Sequence, residues 1–126
     1  FNVYGPRQAY KGQYAPVIGI FQKQKFEKKP LTIIGDGNQT RDFIHVADVA
    51  HANVMVAESD VVGVFNVGSG IEYSVNQIAM LTKNPHGTTT IPSREGEARR
   101  SLSDNTKLKD IGWQPRIGLE AWMAKQ

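Results

Sequence analysis

Glycine and proline break the apolar pattern of this 126-residue chain before any element can grow long. Gly5-Pro6, Pro30, Gly35-Asp36-Gly37-Asn38, Gly68-Ser69-Gly70, Asn84-Pro85 and Gly112 each turn or stop the backbone. Glycine reaches left-handed conformations that other residues avoid, and proline cannot continue a helix interior. Only short pieces fit between these stops. Leu31-Thr32-Ile33-Ile34 and Phe43-Ile44-His45-Val46 are rich in β-branched and aromatic residues and predict short strands. Val64-Phe65-Asn66-Val67 predicts a buried strand, Thr88 to Ile91 another, and Phe1 to Val3 the end of one. Helical spacing runs from Pro16 through Val17, Ile18, Phe21 and Lys25 and ends by Pro30. It returns from Ala47 to Glu58, with Val46, Val49, Ala50, Asn53, Val54 and Ala57 predicted to share one side. Ser74-Val75-Asn76-Gln77 is a capping box that opens a helix reaching about Lys83. Asp104 caps a short helix, Asn105 to Ile111, with Gly112 past its end. A last helix covers Leu119 to Lys125 with Trp122 inward. These pieces predict one mixed α and β domain with short elements, of the α/β class.

Charge and composition exclude several functions. No run of eighteen apolar residues exists, so no membrane-spanning helix is expected. The first residues lack the basic and apolar regions of a signal peptide, and Phe1 in place of Met reads as a cut point. There is no cysteine, which excludes disulfides, thiolate nucleophiles and Cys-built zinc sites and suits a cytoplasmic protein. Fifteen basic residues against 12 acidic give a net charge of +3, which suits solubility or an anionic ligand. The basic clusters at Lys23 to Lys25, Lys28-Lys29 and Arg99-Arg100 are too sparse to predict a nucleic-acid partner. His45, His51 and His86 fall on a strand, a helix and a loop without a carboxylate pattern, so no metal site is expected.

Arg41 follows a glycine-rich turn and begins a strand, an exposed but stiffly held position, and Arg94 opens another loop. A guanidinium makes two parallel bonds to phosphate oxygens, so two arginines can clamp a diphosphate if the fold brings them together. The residues alone favour two solvated surface arginines. Asn2 carries an amide able to donate to a phosphate or sugar oxygen, or serves as a turn residue. Glu97 offers two acceptors for the hydroxyls of a ribose, or pairs with Arg99 or Arg100. Phe43 is either a wall of a site or plain core. Trp113, Trp122, Phe21, Phe26 and Phe65 read as core.

Four segments, in order, carry a family resemblance that covers essentially the whole chain. They are Phe1-Asn2-Val3-Tyr4-Gly5-Pro6-Arg7-Gln8, then Leu31 to Gly37 with Arg41-Asp42-Phe43-Ile44-His45-Val46-Ala47-Asp48-Val49-Ala50, then Phe65-Asn66-Val67-Gly68-Ser69-Gly70, and Arg94-Glu95-Gly96-Glu97-Ala98-Arg99-Arg100-Ser101 with Asp104. The chain resembles the extended short-chain dehydrogenases that act as NAD-dependent epimerases and dehydratases on nucleotide sugars. The resemblance implies that residues 1–126 form the carboxy-terminal, nucleotide-sugar-binding domain. Residues 1–8 would be the end of a Rossmann sheet whose remainder, the N-terminal Rossmann domain, is missing. It also implies that Arg41 and Arg94 hold the diphosphate, that Asn2 contacts the substrate, and that Glu97 meets the ribose, although the family often carries Asp where Glu97 stands. Thr32 and Ile34 would present backbone groups to a uracil edge, Phe43 would join that wall, and Val17 would pack against the base.

NAD is implied for the intact parent and not for this fragment alone. The 126 residues contain no Gly-x-x-Gly-x-x-Gly turn, and none of Tyr4, Tyr10, Tyr14 and Tyr73 has a Lys four residues on. No catalytic residue is therefore expected within the chain. The Tyr4-Gly5-Pro6-Arg7-Gln8 and Ile44-His45-Val46 segments are closer to UDP-hexose 4-epimerases, for UDP-glucose or UDP-N-acetylglucosamine, than to the alternatives. Those are dTDP-glucose 4,6-dehydratases, UDP-glucuronate decarboxylases and a non-catalytic binding module. An apolar, unpaired strand edge at Phe1 to Val3 predicts a homo-oligomer.

Overall fold

Three strands pair with β3 (Thr40–His45), and it divides the molecule into two cores. A computed structural model describes residues 1–126. The amino-terminal strand β1 (Asn2–Tyr4) runs parallel to the second half of β3, with Asn2 opposite Phe43 and Tyr4 opposite His45. The first half of β3 pairs antiparallel with β4 (Glu72–Ser74) and parallel with β6 (Arg100–Ser101). A separate parallel pair joins β2 (Leu31–Ile34) to β5 (Thr88–Ile91). Helices α1 (Val17–Phe26), α2 (Val46–Ala57), α3 (Val75–Thr82), α4 (Thr106–Asp110) and α5 (Leu119–Met123) pack around these strands.

Successive side chains of a strand point to opposite faces, and β3 uses both. Phe43 joins Tyr4, Ile18, Phe21, Leu31, Ile33, Ile78, Leu119 and Met123 in the larger core. Ile44 faces the other way, into a smaller core with Ala52, Leu108 and Trp113. Arg41 has the parity of Phe43, and Asp42 has the parity of Ile44. On β2 the same rule sends Leu31 and Ile33 inward and leaves Thr32 and Ile34 on the opposite, half-buried face.

Most predicted elements form close to their expected bounds, and the Ser74–Gln77 capping box is made in both directions. Three expectations are corrected. Val64 to Val67 is not a buried strand: it has no ladder, and Val64 is 82% exposed. A strand needs a neighbour along its length, and this segment's backbone meets only the Phe1 amine at Val67 and the Lys107 ammonium at Val64. The row expected to share one side of α2 does so apart from Val49, and it faces outward. Val46, Ala50, Asn53, Val54 and Ala57 are exposed, whereas Asp48 and Ala52 are buried and Val49, Met55 and Val56 pack on the smaller core. Asp48 is the cause. Its carboxylate accepts from the backbone N–H groups of Arg116 and Ile117 at 3.1 and 3.0 Å, so a charged residue occupies the centre of the inward face. Phe26 is not core but exposed, because it lies about 140° around α1 from Phe21.

Candidate functional site

The half-buried face of β2, the Arg41 side of β3 and the first turn of α1 enclose a hollow of about 700 Å³. The segment between β5 and β6 closes its fourth side. All eight residues singled out from the sequence line it: Asn2, Val17, Thr32, Ile34, Arg41, Phe43, Arg94 and Glu97. Strand alternation explains part of this. Arg41 and Phe43 share one face of β3, and Thr32 and Ile34 share one face of β2. Pro16 sets the entry to α1, and the first turn then places Val17 and Ile20 on the wall.

Arg41 is held more tightly than an exposed strand-start arginine. Its side chain is only 19% exposed, Nη1 donates to the Thr40 carbonyl at 2.7 Å, and Nη2 lies 3.5 Å from Glu97 Oε1. Glu97 therefore pairs with Arg41, and with neither Arg99 nor Arg100. Those two arginines fix the segment that carries Arg94 and Glu97. Arg99 forks onto Asp36 at 2.8 and 2.7 Å, and Arg100 Nε reaches both oxygens of Glu72 at 3.0 and 2.8 Å. The Arg99 bonds and the Asn38 N–H hold the Asp36 carboxyl well below the usual range. The Arg100 and Thr40 bonds do the same to Glu72. Arg94 makes no ion pair, so one guanidinium on the wall is unneutralised.

Asn2 donates through Nδ2 to the Asp42 carbonyl at 2.9 Å, which locks its amide plane against β3. Two glutamines that the sequence did not single out cap the β2 backbone. Gln24 Oε1 accepts from the Thr32 N–H at 3.1 Å, and Gln39 Nε2 donates to the Ile34 carbonyl at 2.9 Å. These are two of the backbone groups expected to meet a base edge. The wall also takes in Gln39, Ile20, Val75 and the arc from Gly12 to Pro16, which ends on Tyr14 and Ala15 before the helix. No short motif marks them, because they meet only through the tertiary fold. Phe21, read as core, is both core and wall. The lining thus offers two guanidinium groups, one carboxylate, side-chain amides and an apolar floor. That set can hold an anion joined to a flat, partly apolar group.

The fold defines the class: a mixed α/β unit of the kind found in the carboxy-terminal portion of epimerase structures. Residues 1–68 match the NAD dependent epimerase/dehydratase family, and the chain belongs to that family. It is 39% identical over 130 residues to the UDP-glucose 4-epimerase of Mycolicibacterium smegmatis, covering 98% of this chain and 41% of that protein. The crystal structure of Thermotoga maritima UDP-glucose 4-epimerase with UDP-glucose superposes with a TM-score of 0.89 and 37% identity, over 98% of this chain and 41% of that one. The UDP-N-acetylglucosamine 4-epimerase of Methanobrevibacter ruminantium, in complex with UDP-N-acetylmuramic acid, gives a TM-score of 0.92 at 34% identity, over 99% of this chain and 42% of that one. The chain therefore spans about 41% of the length of such relatives.

Proposed function

We propose that this chain holds the nucleotide-diphosphate half of a nucleotide sugar within an NAD-dependent sugar-nucleotide 4-epimerase. The observation that carries this reading is the meeting of Arg41 and Arg94, 53 positions apart in sequence, on one hollow with Asn2, Glu97 and an apolar floor. The two guanidinium groups take the diphosphate oxygens. Glu97 leaves Arg41 for the ribose hydroxyls, Asn2 meets the sugar side, and Val17, Thr32, Ile34 and Phe43 form the bed of the base. Binding energy from this remote half orients the sugar for the reacting centre.

The hydride chemistry lies outside the residues described. The chain carries no glycine-rich pyrophosphate turn and no Tyr-x-x-x-Lys pair, so its residues do not fit NAD. A Rossmann domain elsewhere in the whole enzyme would supply the cofactor site. Calorimetric titration of the chain with UDP tests the binding role. Micromolar to millimolar UDP binding that is weakened in Arg41→Ala and in Arg94→Ala supports it, whereas absence of heat with UDP, dTDP and UDP-glucose overturns it. Preference for UDP over dTDP favours the epimerase or decarboxylase substrates over the dehydratase one.

A further inference from the structure

The arc between β1 and α1 is pinned at both ends and loose between them. At its start Ala9 presses its carbonyl against Gly19 of α1, where any side chain would run into it. At its end Pro16 is the extended residue that caps α1. Between these anchors the internal backbone bond is Ala15 N–H to the Gly12 carbonyl, at 3.2 Å. Gly12 has φ +97°, and a Cβ added there would meet no atom within 4 Å. Glycine's conformational freedom at such a position suits a hinge.

Two tyrosines ride on this arc, and they are held differently. Tyr10 has the ammonium groups of Lys11 and Lys23 at 5.5 and 5.4 Å from its ring centre. Tyr14 is 91% exposed, with no aromatic or cationic partner, yet it stands on the rim of the hollow. Its ring is thus free of other contacts and borders the apolar part of the hollow. The floor formed by Val17, Ile20 and Ile34 is aliphatic and supports one face of a flat group. The other face is open to solvent unless the arc comes down on it.

We infer that Tyr14 is the residue that closes the hollow, its phenol ring stacking on the outer face of the ligand's heterocycle as the arc swings about Gly12. The proposal rests on the nucleotide reading of the site and adds to it a second wall for the base, and with it a preference for ligands that carry one. Stacking tolerates any heterocycle, so Tyr14 contributes affinity for the base and not a choice among bases.

Calorimetry with two probes separates the roles. UDP carries both base and diphosphate, and inorganic pyrophosphate carries the anion alone. Tyr14→Ala is expected to weaken UDP roughly tenfold and to leave pyrophosphate unchanged, and Tyr14→Phe is expected to bind both as the unaltered chain does. Unchanged UDP affinity in Tyr14→Ala overturns the stacking role, and so does an equal loss of UDP and pyrophosphate, which marks a general disturbance of the arc. An unaltered chain that binds pyrophosphate but gains nothing from the base also overturns it while sparing the diphosphate site. Failure of the unaltered chain to bind either probe overturns the nucleotide reading itself. Circular dichroism of each variant confirms that the fold is kept.

Discussion

Asp42 lies between the two residues that best define the hollow, Arg41 and Phe43, and points the opposite way. Its carboxylate is fully buried and accepts from the Ser69 N–H and hydroxyl, the Gly70 N–H, and the Ser103 N–H and hydroxyl. Burial pushes the carboxyl up, but the bonds from Ser103, Ser69 and Gly70 outweigh it and hold Asp42 below its ordinary value. One side chain thereby fastens β3 to the Gly68-Ser69-Gly70 turn and to the chain after β6. It also sets the carbonyl that orients Asn2. Asp42→Asn keeps the shape but turns an NH₂ toward backbone donors. Chemical denaturation at pH 7 should show a loss of roughly 2 to 4 kcal/mol. The pH dependence has a fixed sign. A carboxyl depressed on folding stabilises fully above its unfolded value near pH 4, and that stabilisation fades as pH falls through the folded value. The stability gap between the chain and Asp42→Asn should therefore be constant from pH 7 to about pH 5 and narrow below about pH 4. An unchanging gap down to pH 2 would show that charge plays no part.

Element boundaries depend on local chemistry, and that is where the sequence was most legible. The capping box of α3 lies within four residues, so Ser74 and Gln77 announce it without help from the fold. Ser74→Ala should cost about 1 kcal/mol, measurable as a lower denaturation midpoint. The C-terminus of α1 shows a departure from ordinary turn chemistry. Lys28 adopts φ +58°, and Lys29 N–H reaches back to the Gln24 carbonyl at 2.9 Å, a closure that usually employs glycine. A left-handed non-glycine residue costs about 1 to 2 kcal/mol, and glycine's extra freedom in the unfolded chain takes back about 0.4 to 1. The left-handed cost exceeds the entropy loss, so Lys28→Gly should raise stability by about 0.5 kcal/mol. What resisted reading was non-local. Val64 to Val67 has the residues of a strand but no partner to pair with, and α2 hides its inward face behind Asp48. The Gln24 and Gln39 caps and the Tyr14 rim arise from residues that meet only after folding. The eight wall residues were legible because family motifs flag them, whereas residue chemistry alone had left Arg41 and Arg94 as two surface arginines.

At the scale of the whole molecule, much apolar surface lacks a cover. Phe1 just before β1, Val3 on it, Val46 and Val54 on α2, and Val62 and Val64 beyond α2 are all exposed. The outer row of α2 repeats at helical spacing, which is how a helix meets a neighbour rather than water. β1 is paired along β3 on one side only, and Tyr4 anchors it in the larger core, while its other edge has no strand partner. Exposed apolar rows next to a free strand edge favour association between chains. Sedimentation velocity over a wide concentration range should accordingly show a rising average mass. Val54→Glu combined with Val64→Lys should lower that rise by placing charges on the uncovered row. Neither residue lines the hollow, so UDP titration of the double variant should match that of the unaltered chain. A mass that stays at the monomer value of 14.0 kDa at the highest concentration would show that these valines are tolerated in water. The hollow and the uncovered row lie on different elements, the first on β2 and the Arg41 face of β3, the second on α2 and the chain after it. Binding and assembly should therefore respond to separate substitutions, and a variant that changes both at once would point to a fold less divided by β3 than its two cores imply.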